Sequence, residues 1–344
     1  MSKTLRIRKN GAKVYRIKAS RARVPVTGQV PTFSQYAETF IEQIMRIRSE
    51  NTVLSYRRVL ARSEGVWGKL RITDITKTMV KAYVAGLQEH YKYKSVCLHF
   101  DLLKNAFRTA VEDEVIPFSP MQTLRKPAQS KDARQDETDR AYTEEELRYI
   151  LRCMKNEKLE YEALVYLIAD SGCRRGEVCG LTWKCVDLDT GEVCVRYNAQ
   201  YFPGDGVKIL APKSGKTRRI FLNPEALRKL QAWKKDQEIW CARRGIPPCK
   251  YCFNNSSGGV MNPATLTALF RIWGKKYGIT GFRPHKLRHT MATISISNGA
   301  DVISVSNKLG HSTPSITLDV YSHGNEEAQR RANQALARAI YYIS

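Results

Sequence analysis

Residues 284–323 read PHKLRHTMATISISNGADVISVSNKLGHSTPSITLDVYSH. Pro284 is placed to open a helix, because its fixed φ suits the first helical position. His285 and Arg288 then stand at i and i+3 on one helix face. Asn298-Gly299 can close that helix, and a second one starts near Asp301 and stops at Gly310. Thr313-Pro314 reads as an N-cap followed by a first-turn proline, which puts Tyr321 on a third short helix. Three helix ends thus bring cationic and imidazole groups towards a phenol. A phenol is a poor nucleophile at its free pKa of about 10, and surrounding positive charge helps to ionise it. Such a group suits attack on a phosphodiester.

Outward from this segment, the chain separates into two patterns. Residues 142–344 form one domain, opened by the capping box Thr143-x-x-Glu146 ahead of Leu147, Ile150 and Leu151. Two more helical segments follow, and then the period changes from helical to alternating. Val193, Val195 and Tyr197 form a first strand, Pro203-Gly-Asp-Gly206 turns the chain, and Val207–Ala211 runs back. Ser214-Gly215 turns it again, and Arg219–Leu222 completes an antiparallel three-stranded meander. Before this domain, residues 127–141 are polar, charged and without large apolar side chains, the pattern of a linker. Residues 32–126 are helical throughout. Phe33, Tyr36, Ala37, Phe40, Ile41 and Ile44 make one stripe, and further runs lie at 52–60, 79–87 and 96–111. These predict a compact α-helical domain. Residues 1–30 hold nine Lys or Arg and no acid, with Asn10-Gly11 between apolar residues. They fit either a basic arm or a small hairpin. The fold class expected is mainly α with a small antiparallel β-sheet.

Composition narrows the partner. The 344 residues carry 57 Lys plus Arg against 33 Asp plus Glu, a net charge of +24, which calls for a polyanion such as nucleic acid. No apolar run reaches the roughly 20 residues of a membrane span, and the basic N-terminus lacks the apolar stretch of a signal peptide. A cytoplasmic protein without membrane contact is expected. The nine cysteines suit small core residues in a reducing compartment. Cys249-Lys-Tyr-Cys252 has only half of a zinc-site spacing, so no metal or other cofactor is expected.

Two upstream elements complete the pattern. Ser171-Gly172-Cys173-Arg174-Arg175-Gly176-Glu177 sets Arg174 and Glu177 one helical turn apart, the spacing of an ordinary ion pair. Pro212-Lys213-Ser214-Gly215-Lys216-Thr217-Arg218-Arg219 is a basic hairpin tip. In this order, with His285-Lys-Leu-Arg288, Leu309-Gly310-His311 and Tyr321 ten residues further on, the chain resembles the tyrosine recombinases of the phage-integrase family. Serine replaces the threonine of that family's TGxRxxE motif. The resemblance spans about residues 32–340 and implies a SAM-like core-binding domain followed by a mixed α+β catalytic domain.

What the resemblance implies can be stated residue by residue. Arg174 and Arg288 would grip the non-bridging oxygens of the scissile phosphate, for which planar guanidiniums are suited. His311 would add a donor, and His285 would move a proton or hold the phosphate. Lys213 would protonate the departing 5′-hydroxyl, Tyr321 would form a 3′-phosphotyrosyl bond, and Glu177 would orient Arg174 or a histidine. The partners implied are double-stranded DNA with inverted-repeat core sites and further copies of the chain in a tetramer on DNA. The helix 326–340 would dock in trans, and an accessory directionality factor belongs to the same picture. A type IB topoisomerase uses a similar residue set and is the alternative, as is a recombinase that resolves chromosome dimers. His289 and His323 read as packing residues, and His90 and His99, in the helical domain, carry no chemical signal.

Overall fold

A computed structural model describes residues 30–128, 140–212 and 215–311, with single positions 333, 337 and 340 beyond them. The chain divides into two compact units, Met1–Asp132 and Ala133–Ser344.

The described part of the first unit is helical. It holds α1 (Phe33–Met45), α2 (Glu50–Trp67), α3 (Lys77–His90) and α4 (Tyr93–Glu112). Local chemistry sets the starts. The Thr32 hydroxyl accepts from the Gln35 amide while the Gln35 side chain accepts from Thr32, a reciprocal cap that satisfies two otherwise orphaned donors. The stripe from Phe33 to Ile44 is buried and packs with Leu60, Trp67, Leu103 and Phe107. Phe33 meets Trp67 edge-on at 5.7 Å between ring centroids.

The second unit opens with α5 (Glu144–Met154), and the Thr143–Glu146 capping box forms. Next comes α6 (Leu159–Ser171), in which Ala163, Leu164, Val165, Leu167 and Ile168 are all fully buried. A helix apolar on every side belongs in the middle of a core, and α6 lies against α5, α8 and α10. The rest of its described residues form α7 (Arg175–Cys179), four short strands, α8 (Pro224–Arg243), α9 (Pro263–Lys276), α10 (Pro284–Ser297) and α11 (Val302–Leu309).

The strands correct the expected meander. Among the described residues there are four, β1 (Glu192–Val195), β2 (Asn198–Phe202), β3 (Gly206–Leu210) and β4 (Arg218–Phe221), in two separate antiparallel pairs. β2 and β3 form a hairpin across Gly204 and Gly206, both at positive φ. β4 returns to pair with β1, not with β3. Burial explains the choice: Val193 and Ile220 are cross-strand partners and both are buried. Joining these two inward faces removes apolar surface from water that a β3–β4 pairing would leave unmatched. Tyr197, expected in the first strand, lies between β1 and β2.

Candidate active site

Three segments of the second unit meet at Gly172. That residue ends α6 with φ +62°, a left-handed conformation that glycine adopts without steric cost. A Cβ there would collide with the Met291 Cε of α10 and lie 2.7 Å from the Leu309 Cδ2 of α11. The turn aims the Gly172 carbonyl at α10, where it accepts from Arg288 Nη1 at 2.6 Å. Arg174 follows at the start of α7. Its backbone N–H donates to Glu177 Oε2 at 2.8 Å, and its Nη1 donates to Glu177 Oε1 at 2.9 Å. Gly176 has a separate reason to be glycine, since a Cβ would meet the Asn198 side chain and stand 2.6 Å from the Ala199 carbonyl of β2.

Pro284 occupies the first turn of α10. On this helix Arg288 is only 3% exposed. Its second donor, Nη2, reaches the Leu309 carbonyl at 2.8 Å. Behind it, the Thr290 hydroxyl accepts from the Tyr142 backbone at 2.9 Å, fixing the helix from the opposite side.

α11 begins at Asp301, whose carboxylate accepts from the Ser304 amide at 2.7 Å. It stops at Gly310 with φ +66°. The Leu309 and Gly310 carbonyls are thereby turned outward at the negative end of the helix dipole. Arg288 takes the first and Arg174 Nη2 takes the second, at 3.0 Å. Two guanidiniums are thus held side by side on consecutive peptide oxygens. His311 is the next residue.

The electrostatics follow from this crowding. Burial, reinforced by the charge of Arg174, pushes Arg288 down to about 10. Burial and then the charges of Arg288 and Arg174 push His311 down to about 4. His285 is also lowered, by burial first and then by Arg288 and His289. Both imidazoles are therefore neutral near pH 7. Burial would raise the Glu177 carboxyl, but hydrogen bonds and charge from Arg218, together with Arg174, hold it below its usual range. Three arginines around one carboxylate leave a net positive field, suited to an anion that accepts bidentate hydrogen bonds.

The structure brings together Arg174, Glu177, His285, Arg288 and His311. Lys213, Tyr321, His323 and most of the segment 326–340 lie outside the described residues. Arg218 was missed by sequence reasoning. It stands five residues beyond Lys213 in the same basic run, and the weight of that run went to the lysine. Its side chain is 9% exposed and makes a two-pronged pair with Glu177 at 2.7 and 2.9 Å. Cys249 and Cys252 are buried, with the Cys249 Sγ 3.4 Å from that of Cys241. His99 is buried in the first unit beside Tyr83 and Arg62. Among the described residues, no helix is long and apolar enough to cross a membrane.

Comparison with known proteins gives the same direction. Residues 140–328 match the phage integrase family, and residues 32–127 match the phage integrase SAM-like domain. The ICEBs1 integrase of Bacillus subtilis (strain 168) is 25% identical over 255 residues, covering 73% of this chain and 66% of that protein. Tyrosine recombinase XerC of Actinobacillus succinogenes is 27% identical over 292 residues, covering 82% of this chain and 89% of that protein. Among solved structures, the Tn1549 transposon integrase in complex with transposon right end DNA has a TM-score of 0.75 at 22% identity, covering 89% of this chain and 99% of that one. A lambda integrase tetramer bound to a Holliday junction has a TM-score of 0.66 at 17% identity, covering 85% and 78%. At these identities the two solved structures speak for the fold.

Proposed function

The chain belongs to the phage integrase family and is a tyrosine-type site-specific DNA recombinase; within that family we propose that Arg174, Lys213, His285, Arg288, His311 and Tyr321 break and rejoin the strand. In this reading the Tyr321 oxygen passes its proton to His285 and attacks the scissile phosphorus as the bond to the 5′-oxygen breaks. Lys213 gives the departing oxygen its proton, and a 3′-phosphotyrosyl bond conserves the phosphodiester energy. Attack by a 5′-hydroxyl from the partner strand reverses the step with the strands exchanged, through a Holliday junction.

The observation that carries the reading is the pair of guanidiniums, Arg174 and Arg288, fixed on the Gly310 and Leu309 carbonyls. Each holds its place through protein oxygens and need not reorganise when charge builds up on the phosphoryl oxygens. Such preorganised electrostatics is the largest catalytic contribution in many enzymes. Neutral His311 and His285 can each donate one hydrogen bond or carry one proton. Glu177 serves Arg174 and Arg218 and has no contact with a histidine among its hydrogen bonds. Relaxation of DNA in the manner of a type IB topoisomerase is not favoured, since the matched family and the relatives above are integrases and recombinases.

The domain reading joins this: residues 32–126 grip the duplex beside the cleavage site, and residues 142–344 cut it. The partner is double-stranded DNA, with inverted-repeat core sites bound by a tetramer that the tail 326–340 links in trans. An accessory directionality factor would choose between integration and excision. The work takes place on cytoplasmic DNA. The test is Tyr321→Phe on a nicked suicide substrate. It should bind DNA as the parent chain does and yield no covalent adduct. An adduct from this variant would move the nucleophile elsewhere.

A further inference from the structure

We propose that Arg218 is a positioning residue for strand cleavage, a clamp that holds Glu177 and the C-terminal end of α11 so that Arg174 is presented to the phosphate. The inference rests on the assignment of Arg174 and Arg288 to the phosphate. Arg218 reaches two of the three site segments with one planar group. Its Nη1 and Nη2 donate to the two Glu177 oxygens at 2.9 and 2.7 Å, and its Nε donates to the Lys308 carbonyl at 2.8 Å. The stem of the same side chain lies against Gly310, where an added Cβ would come within 3.0 Å of Arg218 Cδ. Gly310 also supplies the carbonyl that holds Arg174 Nη2. Both supports of the Arg174 guanidinium, Glu177 Oε1 and the Gly310 carbonyl, are therefore themselves held or packed by Arg218.

Charge makes the clamp necessary. The Glu177 side chain is 1% exposed, against 30% for Arg174. With Arg174 as its only cation, a carboxylate this buried would draw the guanidinium inward, away from a bound phosphate. Arg218, buried beside it, donates one hydrogen bond to each oxygen and neutralises the carboxylate from within the protein. The Arg174 guanidinium can then keep one hydrogen bond to Glu177 and one to the Gly310 carbonyl and present its remaining N–H groups to a phosphate. A lysine could supply the charge but not three donors in one plane.

The test uses the full-length chain, with single-turnover adduct formation on the suicide substrate and equilibrium binding to the same DNA. Arg218→Gln should bind DNA within about threefold of the parent chain and form adduct about a hundredfold more slowly, the scale expected when a reacting geometry shifts by an ångström. Arg218→Lys should lose about tenfold, because the charge is restored without the fork. A 5′-bridging sulfur at the scissile bond, a leaving group that needs no protonation, should not restore Arg218→Gln, since the defect lies at the phosphate. Combined with Glu177→Gln, the losses should be strongly non-additive, as for residues in one network. Restoration by sulfur, additive losses or parent-like cleavage would each overturn the clamp. If Arg218→Gln does not fold, Arg218→Lys decides: parent-like cleavage ends the proposal, and slowed cleavage with normal binding supports it. Tyr321→Phe on the same substrate reads the assignment of the nucleophile separately.

Discussion

Two regions of this molecule set a histidine beside an arginine, and they do so for different ends. In the first unit His99 is 2% exposed, with its Nε2 3.2 Å from Arg62 Nη1 and its Nδ1 3.3 Å from the Tyr83 hydroxyl. The Tyr91 ring stacks on it, and Arg62 lies over the face of that ring. In the second unit His311 follows a left-handed glycine, next to two arginines that peptide carbonyls hold. Burial and a neighbouring guanidinium depress both histidines, so a lowered pKa does not tell the regions apart. Anchoring does. Arg62 is an exposed side chain lying on an aromatic ring, whereas Arg174 and Arg288 are fixed by backbone oxygens and a buried carboxylate. A packing cluster tolerates a loose cation; a site that must stabilise developing charge does not.

Breaking the second region should therefore cost chemistry, and breaking the first should not. Arg288→Gln should lower adduct formation by about a thousandfold, the upper range for loss of one preorganised donor, with DNA binding reduced far less. His99→Phe should leave the cleavage rate within about twofold and alter only thermal stability. A comparable catalytic loss from both variants would erase the distinction. Glu177→Ala comes next in size. It leaves Arg218 buried without its partner, and removing one member of a buried pair costs about 3–5 kcal/mol. Denaturant unfolding should show that loss, together with slower cleavage. Unchanged stability would mean that the carboxylate is not the hub of this network.

The comparison also shows what could be read in advance. Elements governed by neighbours in sequence were legible: the Thr143 capping box, the Asp301 cap, Pro284 at the head of α10, and the stop at Gly310. Each depends on residues within one turn. The meander was misread because strand pairing is decided by non-local burial, Val193 against Ile220, across the 22 residues between β1 and β4. Arg218 escaped for the same reason. Its three acceptors belong to Glu177 and Lys308, 41 and 90 positions away in sequence, and in a basic run it looks like any other surface cation. Nothing near Gly176 in sequence explains it; its requirement comes from β2 pressing on it.

A smaller effect should come from the joint of the three site segments. Gly172→Ala places a Cβ at φ +62° against Met291 and Leu309, and strain with overpacking together cost about 1–3 kcal/mol. The melting temperature should fall, and cleavage should fall with it because the Gly172 carbonyl holds Arg288. A stability loss without a catalytic one would show that Arg288 keeps its place without this carbonyl.

The smallest effect is a proton, and it separates the two histidines most finely. Both are depressed in the folded chain, His311 to about 4 from 6.5 and His99 in the same direction. As pH falls below 6.5 the unfolded chain takes up these protons before the folded one does, so the contribution of His311 to stability is lost between about 6.5 and 4 and is complete above that window. His99 acts with the same sign. DNA should break the symmetry. Burial first, and then the charges of Arg288 and Arg174, keep His311 neutral; a phosphodiester held by those arginines offsets their charge, so its pKa should rise on binding. His99, enclosed by Tyr83 and Tyr91, should titrate as before. Imidazole proton shifts followed against pH, with and without a core-site duplex, would read both residues in one experiment. Equal shifts at the two histidines, or none at His311, would mean that the phosphate does not sit beside Arg174 and Arg288, and the distinction between the two clusters would have to be drawn elsewhere.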